Sequence, residues 1–148
     1  MSGVDGRVKA FAAVGHVTAR AALPLVERAQ HVVVNWDDFE YPFSEYCHAG
    51  DSYPAYPDVD RDDDDIEKVL FAQAGDRDGD AWVLIYKRKD GLYVYFNTWC
   101  DYTGYGCQDG TTLEASSDFA VFWDTCLDNE GRLLLWQKLS KQDARENV

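Results

Sequence analysis

The sequence predicts one α+β domain: an antiparallel β-meander of about three or more strands packed with two or three helices. Three observations predict it. Runs rich in β-branched and aromatic residues lie close together at residues 69–74, 81–87 and 92–99. The turn Lys89-Asp90-Gly91 separates the last two, and Asp-Gly between such runs is a strong hairpin signal. Segments with apolar residues at helical spacing flank these runs on both sides. At 148 residues the chain has room for one core and would crowd two, and 46% hydrophobic residues supply it. The whole span 1–148 is therefore read as a single domain, with residues 1–22 as a loosely ordered arm and 140–148 as a frayed tail.

Residues 1–22 are rich in alanine and only loosely periodic, which leaves helix, strand and arm open. From Pro24, Leu25, Val26, Ala29, Val32, Val33 and Trp36 follow helical spacing, and proline suits a first helical turn. A helix over 24–34 is expected, although the β-branched run at 32–34 also suits the start of a strand. His31 then sits on that helix as an ordinary polar-face or boundary residue. Residues 37–65 are irregular, acidic and aromatic, with Pro42, Pro54 and Pro57 breaking both helix and central strand. Their rings argue for a segment that wraps the domain and anchors against the core.

A two-residue type I′ turn at Asp90-Gly91 makes Lys89 face Leu92. Tyr86 then faces Tyr95 and Trp82 faces Trp99 on one side, with Ile85 facing Phe96 and Val83 facing Thr98 on the other. Both sides are apolar, so helices cover at least one and the other is covered too. Downstream, Ser116-Ser117-Asp118 is a helix-start signal. Phe119, Phe122, Trp123, Cys126 and Leu127 form the apolar stripe of a helix that stops before Gly131. Residues 133–139 read as either a second helix or a last strand. The chain contains no internal repeat.

The charge of −13 is unevenly placed: about +2 over residues 1–36, −12 over 37–80 and −3 over 81–148. Such a balance excludes a basic nucleic-acid binder, which needs a Lys/Arg surface to neutralise phosphates. No run approaches the ~20 apolar residues of a membrane span. The first residues lack the basic-then-apolar pattern of a secretory signal. The expected setting is therefore cytoplasmic (or a virion, for a viral chain), with reduced thiols and no membrane.

Several chemical signatures fail. Asp76, Asp78 and Asp80 open like a calcium loop, but Ala81 stands where glycine is needed and Lys87 where a bidentate Glu belongs. Asp58, Asp60 and Asp62 fail likewise. Cys47, Cys100, Cys107 and Cys126 include no C-x-x-C pair, and a zinc site joining Cys47 and His48 to the later cysteines has no spacing to support it. Gly-x-Ser-x-Gly is absent, and His16, His31 and His48 are all far upstream of Cys100 and Cys107. Gly104-Tyr105-Gly106 is no dinucleotide fingerprint. The pattern calls for no catalytic residue, cofactor or metal.

The informative segment is residues 99–110, WCDYTGYGCQDG, leaving the second hairpin strand as a loop. Gly104, Gly106 and Gly110 permit tight folding, while Asp101 and Thr103 can brace the backbone as Asx and ST turns. Tyr102, Tyr105 and Gln108 have the amphipathic character common in binding surfaces. The expectation is a contact surface made of Cys100, Asp101, Tyr102, Thr103, Gly104, Tyr105, Gly106, Cys107 and Gln108, helped by the acidic aromatic segment. A structural loop capping the sheet is the plainer alternative. The partner would be a protein, a second copy of this chain included. Rival readings are a thiol- or metal-dependent enzyme or redox sensor using Cys100 and Cys107, and a self-assembling viral particle component.

Residues 100–108, CDYTGYGCQ, also resemble the C-D-Y-T-G-[aromatic]-x-C-Q signature of a group of small uncharacterised proteins of bacteria, phages and large DNA viruses. The likeness extends through the strand–turn–strand around Lys89-Asp90-Gly91-Leu92 and covers roughly residues 66–127, leaving out the first 60. It implies a shared small α+β fold and a common loop, with no reaction attached.

Overall fold

The computed structural model describes residues 17–40, 42, 65–76, 78–101 and 108–146. Its centre is a four-stranded antiparallel sheet in the order β1-β2-β3-β4: β1 is Ile66–Gln73, β2 Trp82–Arg88, β3 Tyr93–Asp101 and β4 Gln108–Ser116. Helices α1 (Ala19–Arg28), α2 (Phe119–Val121, continuing as a π-helical turn Phe122–Cys126) and α3 (Asn129–Glu146) complete an α+β fold built on a β-meander.

These three helices lie on one face of the sheet. Leu70, Val83, Ile85, Tyr93 and Tyr95 meet Ala22 and Val26 of α1, the buried side of the α2 turn, and Leu135 and Leu139 of α3. All five residues of the expected stripe at 119–127 are buried here. Tyr93 packs edge-on against Phe119 and stacks on Phe122, geometries that aromatic quadrupoles favour. The other face carries Val69, Trp82, Leu84, Tyr86, Val94, Phe96 and Cys100, packed with Phe39 from a short 3₁₀ turn at Trp36–Phe39. Trp82 Nε1–H donates to the Asp38 carbonyl (3.0 Å), tying that turn to the sheet. Both faces are thus covered, as the strand composition predicts, and the described start of the acidic aromatic segment does anchor a ring on the core.

The hairpin register differs by one residue from the expected one. Tyr86 pairs with Val94, Ile85 with Tyr95, Leu84 with Phe96, and Trp82 with Thr98 instead of Trp99. Lys89, Asp90 and Gly91 form a three-residue connection closed by Arg88 N–H to Leu92 C=O (2.8 Å) and Gly91 N–H to Arg88 C=O (3.0 Å). Asp90 Oδ1 braces Leu92 N–H, and only Gly91 needs a positive φ, +93°. A type I′ turn requires positive φ at both central positions, and a three-residue loop needs it only at the last.

Four more differences have physical causes. α1 begins at Ala19 because Thr18 caps it, accepting from Ala21 N–H, and it encloses Pro24 instead of starting there. Residues 29–35 leave the helix, extended at Ala29 and Asn35 and not helical as expected over 24–34, because Val32 N–H donates to the Val69 carbonyl (3.0 Å). Residues 108–116, beginning inside the segment read as a loop, form the fourth strand. The chain from 129 is one helix that runs to Glu146 without fraying at residue 140, and Asp143 on it pairs with Arg28 of α1 (2.8 Å). Of the expected 1–22 arm, residues 19–22 are helical, and 1–16 lie outside the described residues.

Charged side chains close the helix ends. Lys68 of β1 donates its ammonium to the carbonyls of Val26, Glu27 and Ala29 at the end of α1 (3.1, 3.2 and 2.8 Å). Burial holds this amine below its usual pKa, partly offset by the Glu67 carboxylate. Arg132 of α3 likewise donates to the Trp123 and Leu127 carbonyls (3.0 and 2.8 Å) that the π-turn leaves unpaired.

Candidate functional site

Of the nine expected contact residues, the three that are described lie at one end of the β3–β4 ladder. Cys100 and Asp101 end β3 and Gln108 opens β4, with Cys100 paired to Asp109 and Asp101 to Gln108. Tyr102, Thr103, Gly104, Tyr105, Gly106 and Cys107 lie outside the described residues, as do His16, Cys47 and His48. The ladder therefore brings both ends of the expected loop together as strand neighbours, two of its residues belonging to β3 and one to β4.

Cys100 is not a surface group. Alternation along a strand puts it on the same face as Val94 and Phe96, where it is a buried, free thiol. Cys126 is free and buried too, and burial pushes its thiol above the ordinary range. Reactive cysteines need an electropositive, accessible setting, and neither thiol has one.

Trp99 takes the opposite side. It continues the row Tyr93, Tyr95, Asn97 along the helix-facing side of β3, but lies near its end and is 36% exposed. Its indole covers the backbone of its partner Gly110: a Cβ there would lie 2.6 Å from Trp99 Nε1. The pairing of an aromatic with a cross-strand glycine keeps the ring flat on the sheet. Behind it on the other face, Thr98 and Thr111 share a hydroxyl hydrogen bond (2.8 Å) that locks the two strands.

One step inward, a polar cluster joins β3 to α3. Asn97 Nδ2–H donates to Tyr95 Oη (3.0 Å) and to Glu130 Oε2 (3.4 Å). Tyr95 O–H donates to Asp128 Oδ1 (2.9 Å), which also caps α3 by accepting from Gly131 N–H (2.8 Å). Burial, with the Asp128 carboxylate beside it, pushes the Tyr95 phenol far up, so it stays a neutral donor. The cluster fixes the start of α3 over the strand that carries Trp99.

The aspartate-rich connection between β1 and β2 spends its first carboxylate on its own backbone: Asp76 Oδ1 accepts from Asp78 N–H (2.8 Å) and Asp80 N–H (3.2 Å). Among the described residues no three His, Cys, Asp or Glu side chains converge to hold a metal ion. No helix among them is long and apolar enough to cross a membrane. His31 lies beyond α1, not on it, and its Nδ1 accepts from Val69 N–H (3.0 Å).

No protein-family model, no curated protein and no solved structure matches the chain.

The residues that sequence reasoning passed over are Asn97, Asp128 and Glu130, and Gly110, read there as a loop glycine, is the cross-strand partner of Trp99. Thr111, Leu113 and Ala115 alternate with Thr112, Glu114 and Ser116, a period of two that marks a strand over 108–116 and so places Gly110 opposite Trp99.

Proposed function

We propose that this chain is a small acidic binding module that recognises a protein partner, a second copy of itself included, with the outer end of its β3–β4 hairpin. Trp99 carries the reading: a large indole, more than a third exposed and held flat over Gly110, on a sheet whose other large residues are mostly buried. Rigid, part-exposed tryptophan is the side chain that most often anchors an interface. The strands carry it close to Asp101 and Gln108, the described ends of the segment whose Tyr102, Tyr105 and Gln108 are residue types that suit the same purpose. The buried state of Cys100 supports binding over thiol chemistry. The resemblance of residues 100–108 to the C-D-Y-T-G-[aromatic]-x-C-Q group would extend this surface to those proteins.

Photo-crosslinking and affinity capture from extract of the source cells test it, with wild type compared to Trp99→Ala and, as a control, to Val33→Ala at an 88% exposed site elsewhere. Wild type and Val33→Ala should capture the same partner, while Trp99→Ala should lose it and keep its melting temperature. Equal capture by all three would overturn the proposal. Sedimentation of the wild type at several concentrations separates self-association from a different partner.

A further inference from the structure

The opposite edge of the sheet carries a cavity that the hairpin reading does not use. His31 and Val32, in the chain after α1, and Lys138, Lys141, Gln142 and Arg145 of α3 line a space of about 430 Å³. Small-molecule sites commonly fall between about 300 and 1,000 Å³. Lys138, Lys141 and Arg145 stand at i, i+3 and i+7, one helix face, spread over about 10 Å at 1.5 Å per residue. None of the lining residues is acidic, although the chain as a whole carries −13. On the neighbouring flank Arg28 is neutralised by Asp143, whereas Lys141 and Arg145 make no ion pair among the described residues.

The groups are also oriented. Lys138 Nζ–H donates to the Leu70 carbonyl (2.7 Å), which fixes its position. Burial, and secondarily the Lys68 cation, hold this amine below its usual pKa, and no ion pair reaches it among the described residues. Because His31 Nδ1 accepts from Val69 N–H, the neutral ring carries its proton on Nε2. The cavity thus offers cations and donors with an apolar residue, Val32, beside them.

We propose that this cavity binds a small organic phosphate whose charge is spread over two phosphoryl groups. A single compact anion meets at most part of a 10 Å row of cations. A diphosphate reaches along it, with the Arg145 fork taking one phosphoryl group bidentately and Lys138 and Lys141 the other. The Gln142 amide and Val32 then face the uncharged remainder of the molecule.

Isothermal titration of the full chain at fixed ionic strength tests it with inorganic pyrophosphate, inorganic sulfate and citrate as probes. Pyrophosphate should bind one to one and at least about tenfold more tightly than sulfate or citrate. The double variant Lys141→Ala/Arg145→Ala should weaken it at least about tenfold with the melting temperature unchanged, and Trp99→Ala should leave it unaltered. Absence of saturable binding, equal affinity for sulfate or citrate, or an unaffected double variant would each overturn the proposal. Because the two sites lie at opposite sheet edges, failure here leaves the hairpin reading standing.

Discussion

Along β1, the outer edge of the sheet is occupied by other parts of the chain. Val69 C=O accepts from Val32 N–H and Val69 N–H donates to the His31 ring at Nδ1, Leu70 C=O receives Lys138, and Lys68 reaches out to cap α1. Its pairing with β2 is also interrupted by two register shifts. Along β4, the ladder to β3 runs unbroken from Tyr93↔Ser116 to Asp101↔Gln108, and no described strand lies beyond it. An open strand edge is a template for unwanted pairing, and bulges and coverings are the usual protection. The contrast teaches that this fold puts its rigidity on the β1 side and its regular, accessible strand on the side where Trp99 is displayed.

Substitutions that respect the contrast should cost stability on one side and recognition on the other. The largest loss is expected for Gly75→Ala, just after β1, where a Cβ would lie 2.3 Å from the Asp80 carbonyl oxygen and 2.7 Å from Trp82 N. Backbone cannot step aside, so urea denaturation should register about 2–3 kcal/mol. A value under about 0.5 kcal/mol would mean that the β1 side yields as easily as the β4 side. Lys68→Met comes next. It strips three carbonyls at the end of α1 of their donor, and about 1–2 kcal/mol is expected, with faster amide exchange in the last turn of that helix.

Gly110→Ala probes the other edge. The obstacle there is the Trp99 side chain, which can swing outward, so less than about 1 kcal/mol should be lost. Tryptophan fluorescence should nonetheless shift toward that of a solvated ring, and partner capture should drop. The smallest effect belongs to Lys87, hydrogen-bonded to Glu67 across β1 and β2 (3.1 Å) on a largely exposed surface. That bond raises the Lys87 pKa above its ordinary 10.5, with burial opposing. The pair therefore contributes below pH 10.5 and its contribution disappears as pH rises through the folded-state value. Removing it as Lys87→Met should cost a few tenths of a kcal/mol at pH 7 and nothing at high salt.

Much of this architecture is legible in the residues. The runs at 69–74, 81–87 and 92–99 announce three strands through composition alone, and Asp118 with the 119–127 stripe announces the second helix. What escaped has tertiary causes. The 29–35 stretch alternates weakly between helix and strand signals, and one bond to Val69 decides it. The β4 strand is polar and glycine-containing, and pairing with β3 makes it a strand more than propensity does. Because residues from 140 onward look polar, the helical spacing of Lys138, Lys141 and Arg145 passed unread, and with it the cationic cavity. Cys100 shows the same limit within the candidate site: motif membership grouped it with its neighbours, while strand alternation sends it inward.

The three-residue reversal at Lys89-Asp90-Gly91 governs more than a local bend. Excising Lys89 would invert the phase of β3 relative to β2, since neighbouring residues on a strand point to opposite layers. Tyr95, Asn97 and Trp99 would trade places with Val94, Phe96, Thr98 and Cys100, the bond to Asp128 would vanish, and the indole would be delivered to the wrong layer. The address of the display residue is thus written about ten positions upstream of it, in the length of a connection that never touches the surface it controls.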